Sequence, residues 1–78
     1  MHITVDARGL TCPRPRQMTI EAIHKAKQGE VIVVVVDKAR ARDSVIRLVE
    51  ALQLSYKSMK KTNCYEIHIV REKLWLEK

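Results

Sequence analysis

The sequence of 78 residues has few of the side chains that usually anchor a small core. It has no phenylalanine, one tryptophan and two tyrosines, so its core must be aliphatic. Its two cysteines are too few for a disulfide scaffold. No apolar run approaches the roughly 20 residues of a membrane span, and residues 1–6 lack the charged start and apolar stretch of a signal peptide. We therefore expect a cytoplasmic protein.

Acidic residues are also scarce, with nine against 15 lysines and arginines, which gives a net charge of +6. The hydrophobic content of 46% is high enough for a folded chain, and the length predicts a single domain over residues 1–78. The positive charge is compatible with nucleic acid, an acidic protein surface or an anionic small substrate. Charge alone does not choose among these partners.

The first half of the chain predicts a strand, a helix and a second strand. Residues 3–5 alternate between apolar and polar, which is typical of a short strand. Pro13 and Pro15 suit the first turn of a helix, where an amide hydrogen is not needed, and Gly29 is placed to end it. Residues 31–36 are six β-branched residues in a row, which predicts a buried central strand. The apolar face of the helix carries Met18, Ala22, Ile23 and Ala26.

The second half predicts another helix followed by two strands. Asp37 is a candidate cap for this helix, and Arg40 and Arg42 stand in its first turn. Residues 54–60 and 65–70 predict two strands joined by a short turn. The apolar stripe of the helix consists of Ala41, Val45, Leu48, Val49 and Leu52.

The order βαβαββ predicts an α/β (α+β) two-layer sandwich. Right-handed crossovers place both helices on one face of a four-stranded mixed sheet. The valine-rich strand then presents apolar side chains on the opposite face, either to solvent or to a second copy. We therefore expect a monomer or a weak homodimer.

The most informative residue is Cys12, which lies just before the first predicted helix in the run Arg8-Gly9-Leu10-Thr11-Cys12-Pro13-Arg14-Pro15-Arg16. Amide groups at a helix start place a partial positive charge near the sulfur, and the neighbouring arginines add full charges. Both favour the thiolate, which attacks electrophiles and carries sulfur. Arg40 and Arg42 extend this basic surround if both helix starts share one sheet edge. A merely structural, buried Cys12 would leave these arginines unexplained.

The rest of the chain offers no obvious help for a self-sufficient catalyst. The histidines have no zinc-ligand spacing with the cysteines, so we predict no metal and no cofactor. Pro15 stands where a Cys-x-x-Cys motif would need its second thiol. Cys64, without a helix start or cationic neighbours, is interpreted as structural or incidental. A carrier that receives sulfane sulfur as a persulfide needs only Cys12, because partner enzymes supply the other groups.

The loop before the first helix resembles the signature of the TusA-like (SirA-like) sulfur-carrier family, in the run Asp6-x-Arg8-Gly9-Leu10-x-Cys12-Pro13-x-Pro15. The likeness continues at Gly29-Glu30, the valine strand, Asp37 and Arg42-Asp43, so it covers nearly the whole chain. It implies a two-layer sandwich like the C-terminal domain of the third translation initiation factor. It also implies a Cys12 persulfide that relays sulfur from a donor, such as a cysteine desulfurase or a rhodanese-like protein, to an acceptor protein.

Under this resemblance, Gly9, Pro13 and Pro15 shape the loop, while arginines stabilise anionic sulfur and guide partners. These arginines are Arg8, Arg14, Arg16, Arg40 and Arg42. Family members serve tRNA thiolation, molybdenum-cofactor synthesis and sulfur oxidation. Two departures bear on partner choice. Asp37-Lys38-Ala39 replaces the common Asp-x-Pro opening of the second helix, and Leu52-Gln53-Leu54 lacks the glycine that often follows that helix.

Two alternatives stay open at this point. One is a basic RNA-binding or regulatory module, although the exposed aromatics that stack on unpaired bases are scarce. The other is a redox sensor that pairs Cys12 with Cys64, which requires the two sulfurs to lie close together.

Overall fold

The computed structural model describes residues 2–10 and 14–71, except for the side chain of His2. The elements occur in the predicted order βαβαββ. They are β1 (His2–Asp6), α1 (Arg14–Lys25), β2 (Val31–Val36), α2 (Ala39–Ala51), β3 (Tyr56–Lys60) and β4 (Tyr65–Val70).

The four strands form one mixed sheet in the order β1-β2-β4-β3. β2 runs parallel to β1 and antiparallel to β4, which confirms its predicted central place. Its side chains alternate, because Ile32, Val34 and Val36 are fully buried while the intervening valines are half-buried. Ile32 lies between Ile3 of β1 and Ile69 of β4 in the register. Neighbouring strands therefore contribute aliphatic residues to the same layer of the core.

Both helices pack on one face of this sheet, as predicted. Ile23 of α1 and Val45 of α2 belong to the same buried cluster as Val34 and Ile67 of the sheet. All of the fully buried large side chains in the described residues are aliphatic apart from Thr19 and Pro15. Full burial of one such aliphatic side chain contributes about 1.5–3 kcal/mol. The core is therefore held by branched aliphatic packing in place of aromatic rings.

Two predicted boundaries are wrong. α1 ends at Lys25, four residues before Gly29. Gly29 has a φ of +95° and donates its N–H to the carbonyl of Arg71 at 2.7 Å, so it forms the turn into β2. β3 begins at Tyr56 instead of residue 54, because the N–H of Leu54 is bonded to the carbonyl of Val49 and belongs to the end of α2.

The sheet face opposite the helices is partly apolar. It carries the half-buried Val33 and Val35 of β2 and the 38% exposed Val70 of β4. On the same face, Glu66 and His68 are hydrogen-bonded at 3.0 Å. Pairing of this face with a second copy stays a prediction. Neither described helix has the length and apolar character to cross a membrane.

Candidate functional site

The loop from β1 towards α1 is anchored to the end of β2. The N–H of Ala7 donates to the carbonyl of Val35 at 2.8 Å, which extends the β1–β2 pairing by one residue. The N–H of Gly9 then donates to Oδ2 of Asp37 at 2.9 Å. The backbone that leads to Cys12 is thus fixed at residues 7–9 by two contacts with a neighbouring strand and loop.

Gly9 is required by its backbone conformation and not by lack of space. Its φ is +78°, a region that residues with a Cβ rarely adopt. A Cβ added there would meet no atom within 4 Å. The predicted loop-shaping role of Gly9 therefore has a local physical cause, which is the turn that directs its N–H towards Asp37.

Asp37 does not cap α2, contrary to the sequence prediction. The N-cap residue is Lys38, whose φ of −126° and ψ of 141° are extended, and no side chain makes a capping bond there. Asp37 instead accepts the N–H of Gly9 from the β1–α1 loop. A carboxylate just before a helix can accept a hydrogen bond from the first turn of that helix or from the backbone of another loop. The local sequence does not distinguish these two possibilities.

Arg8 is held in an ion pair with Asp6. Nε and Nη2 of Arg8 each lie 3.0 Å from a carboxylate oxygen of Asp6, whose Oδ1 also accepts the N–H of Arg8 at 3.2 Å. These bonds lower the pKa of the exposed Asp6 carboxyl, and they raise the pKa of the Arg8 guanidinium. Arg8 therefore shares its charge with a neighbour and is not a free cation.

Cys12 and Pro13 lie outside the described residues. Pro15, the second residue of α1, is buried, and its carbonyl accepts the hydroxyl of Thr19 at 2.8 Å. The first turn of α1 is thus anchored in the core immediately after the Cys12 segment. This is consistent with the expectation that Pro15 fixes the start of the helix.

The first turns of both helices are basic. Arg14 and Arg16 stand in the first turn of α1, Arg40 and Arg42 stand in that of α2, and neither turn has an acidic residue. Arg42 is occupied, because its guanidinium is 3.0 Å from Oδ1 of Asp43 and lies 4.7 Å from the centre of the Tyr65 ring. Arg14 is exposed at the start of α1.

Arg16 and Arg40 line the same groove, together with Arg47, which the sequence prediction did not assign to the site. This groove between α1 and α2 has a volume of about 440 Å³, and its other lining residues are Asp43, Ser44 and Leu48. Arg47 follows Arg40 by seven residues, so helical spacing places both on one face of α2. That signal was in the sequence, but the approach of Arg16 from α1 was not.

Cys64 has more cationic neighbours than the sequence suggested. It is a half-buried free thiol that lines a shallow hollow of about 160 Å³ together with Lys60, Lys61 and Asp37. The charge of Arg8 also lies within electrostatic range of Cys64. Cys64 therefore lies at the same end of the sheet as the start of the Cys12 loop, because Asp37 borders both. This end of the sheet, with Arg8, Lys60 and Lys61, is called the basic edge below.

The described part of this edge has no ready metal centre, because no three His, Cys, Asp or Glu side chains in the described ranges converge to hold an ion. The described residues offer a loop backbone fixed at residues 7–9 and two helix starts that carry arginines, one of which follows the Cys12 segment directly in the chain. Such a setting stabilises a thiolate and attracts anionic groups.

The match to known proteins decides the family. The model of the family described as "Sulfurtransferase TusA" matches residues 3–72 of the chain. The chain belongs to the TusA sulfurtransferase family. No curated protein sequence matches it. Among solved structures, a SirA-like protein from Desulfitobacterium hafniense is similar, with 27% sequence identity and a TM-score of 0.80. The alignment covers 94% of this chain and 100% of that one.

Membership of the TusA family gives the basic edge a chemical context, because it implies a role in sulfur transfer. The residues that carried the resemblance also contact one another. Asp6 binds Arg8, and Gly9 binds Asp37, across two loops that are 28 residues apart in the chain. The TusA signature in this chain is thus partly a hydrogen-bonded framework around the loop that leads to Cys12.

Proposed function

We propose that this TusA-family protein relays sulfane sulfur as a persulfide on Cys12, from a donor protein to an acceptor protein. The observation that carries the proposal is the family match over residues 3–72, which spans the whole Cys12 segment. The anchored backbone of Gly9 and the arginines at the starts of α1 and α2 support it, because they suit a loop that presents an anionic sulfur.

The transfer needs no redox partner. The Cys12 thiolate attacks the outer sulfur of a donor persulfide, the donor S–S bond breaks, and the donor cysteine leaves as a thiolate. The new bond is the S–S bond of the Cys12 persulfide. In the second step a nucleophile of the acceptor attacks the terminal sulfur, and Cys12 leaves as a thiolate again. Low thiol pKa values make each departing cysteine a better leaving group.

The proposal gives the remaining residues of the site supporting roles. Gly9 and Asp37 hold the loop, Pro15 fixes the first turn of α1, and the exposed Arg14 and Arg16 favour anionic sulfur. Pro13, next to Cys12 in the sequence, keeps the loop-shaping role that the family resemblance implies. Arg8 acts mainly through its pair with Asp6, which stiffens the loop.

Intact mass spectrometry tests the relay. After incubation with a cysteine desulfurase and cysteine, or with thiosulfate, the wild type should gain the mass of one sulfur atom. Cys12→Ser should not gain it, whereas the matched variant Cys64→Ser should. Sulfur found on Cys64 in Cys12→Ser would contradict the proposal. The same spectra test the redox alternative, since a Cys12–Cys64 disulfide would appear as a loss of two hydrogens after mild oxidation.

A further inference from the structure

The groove between α1 and α2 presents three guanidinium groups that have no partner within the protein's described part. Arg16, Arg40 and Arg47 are exposed and form no ion pair or hydrogen bond with another described residue. The one carboxylate in the groove, Asp43, is already paired with Arg42. The groove is therefore a local concentration of uncompensated positive charge.

Folding does not favour this arrangement. A cation in the first turn of a helix opposes the helix dipole, and acidic residues are the stabilising choice there. Arg16 and Arg40 both stand in first turns that have no acidic residue. Their placement beside one another at the groove adds mutual repulsion. Residues that weaken folding are expected where they serve binding.

The chemical type of the cations narrows the ligand. All three cations that line the groove are arginine, although the described surface also carries exposed lysines, as at Lys25, Lys27 and Lys57. The planar guanidinium matches a carboxylate or a phosphate with two parallel hydrogen bonds, which an ammonium does not do. Asp43, Ser44 and the buried Leu48 complete the lining, so the groove suits a short polar chain segment.

The state of the described aromatic residues favours a carboxylate ligand over nucleic acid. Stacking on aromatic rings supplies much of the binding of unpaired bases. Both described tyrosines are half-buried and occupied, because Arg42 lies over the ring of Tyr65 and the hydroxyl of Tyr56 donates to Glu50 at 3.0 Å. The described lining of the groove thus offers guanidinium groups for carboxylates but no aromatic ring on which a base could stack.

We propose that the groove lined by Arg16, Arg40 and Arg47 binds an acidic segment of the protein that gives or receives sulfur. The inference rests on the proposed relay, since it names the chemistry of that relay's partner. Arg16 is the third residue of α1, and Cys12 precedes α1 by two residues in the chain. A carboxylate-rich segment bound in the groove would therefore direct its protein towards the thiol.

Fluorescence anisotropy with a labelled hexaglutamate peptide, at low salt and without any sulfur donor, tests this site. Each exposed pair between an arginine and a glutamate is expected to contribute about twofold to threefold to the affinity. Replacing all three arginines by glutamine should therefore weaken binding about tenfold. The matched control Lys25→Gln, Lys27→Gln, Lys57→Gln removes the same charge elsewhere and should change affinity by less than about twofold. Arginine-to-lysine replacement in the groove should fall between these results, because charge stays while the forks are lost.

Three results would overturn the inference. The first is no binding of hexaglutamate by the wild type, and the second is an equal loss in the lysine control, which would reduce the effect to net charge. The third is tighter, arginine-dependent binding of a labelled decauridylate, which would assign the groove to nucleic acid. Persulfide formation at Cys12 is read separately by mass, so failure of the relay and failure of the docking site are distinguishable.

Discussion

At the residue scale, two carboxylates set the loop before Cys12. Asp37 holds the N–H of Gly9, and Asp6 holds both the side chain and the N–H of Arg8. A paired guanidinium gives a nearby thiolate less net stabilisation than a free one, because its carboxylate partner opposes the effect. Arg14 is exposed and two residues from Cys12 in the chain. It is therefore expected to influence the thiol more than Arg8 does.

This difference predicts the titration of Cys12. In a Cys64→Ser background, the pH dependence of alkylation by iodoacetamide should give Cys12 a pKa well below the value of about 8.5 for a free cysteine. Arg14→Gln should raise this pKa, because it removes a cation that has no partner among the described residues. Arg8→Gln is the matched control and should raise it less. A Cys12 that titrates like a cysteine in an unfolded peptide would contradict the electrostatic account.

At the element scale, α2 has unusual residues at both ends. Its start has no side-chain cap. Its end is a Schellman motif, in which the N–H of Gln53 donates to the carbonyl of Glu50 and that of Leu54 donates to Val49. The residue in the left-handed conformation is Gln53, with a φ of +59°. Glycine is the usual residue there, so the glycine that the family often has after this helix is missing at the position that needs it.

Gln53→Gly should consequently stabilise the protein. Removing the Cβ relieves the left-handed strain, while the greater freedom of the unfolded chain offsets part of the gain, so the free energy of unfolding should rise by about 0.5–1 kcal/mol. Urea denaturation followed by circular dichroism measures the change. Gln53→Ala keeps a Cβ in the strained conformation and should give no such gain. Equal stability of the glycine and alanine variants would show that the backbone at residue 53 is not strained.

Periodicity predicted the elements well but not the contacts between them. The burial of the apolar stripe of α2 and of the β-branched run of β2 could be predicted, since each pattern lies within a single element of the sequence. The tie between Asp37 and Gly9 spans 28 residues. The buried Arg71 donates its Nε–H to the carbonyl of Ile23 at 3.0 Å, and these two residues are 48 positions apart in the chain. Such contacts depend on which loops and ends the sheet brings together, and no local pattern encodes that.

The candidate site was predictable to a similar extent. The family signature predicted Cys12 and its loop as the site, and helical spacing placed Arg40 in the first turn of α2. The sequence did not show which arginines are already paired, although Arg8 and Arg42 each have an aspartate within two residues. Nor did it assign Arg47 to the site, because only the packing of α1 beside α2 creates the groove.

At the scale of the whole molecule, the basic groove and the apolar surface lie on opposite layers. The arginines that line the groove project from the helix layer, whereas Val33 and Val70 belong to the far face of the sheet. A partner bound at the groove would therefore leave the sheet face free. The apolar part of that face is small, because Val33 and Val35 are half-buried and the polar Glu66 and His68 lie on the same face, whereas a stable complex buries about 800 Å² per partner. Any self-association through it should be weak.

The two surfaces are expected to respond to salt with opposite signs. Each copy carries a net charge of +6, so salt screens the repulsion between copies and should strengthen a dimer formed through the apolar sheet face. The same screening should weaken hexaglutamate binding at the arginines. Sedimentation equilibrium at high protein concentration, at low and then physiological salt, measures the first effect. Val33→Lys adds a charge to the centre of the face and should abolish association, whereas Lys27→Gln, on the turn after α1, should not. A protein that stays monomeric at high concentration in both salts would exclude the sheet face as a self-association surface.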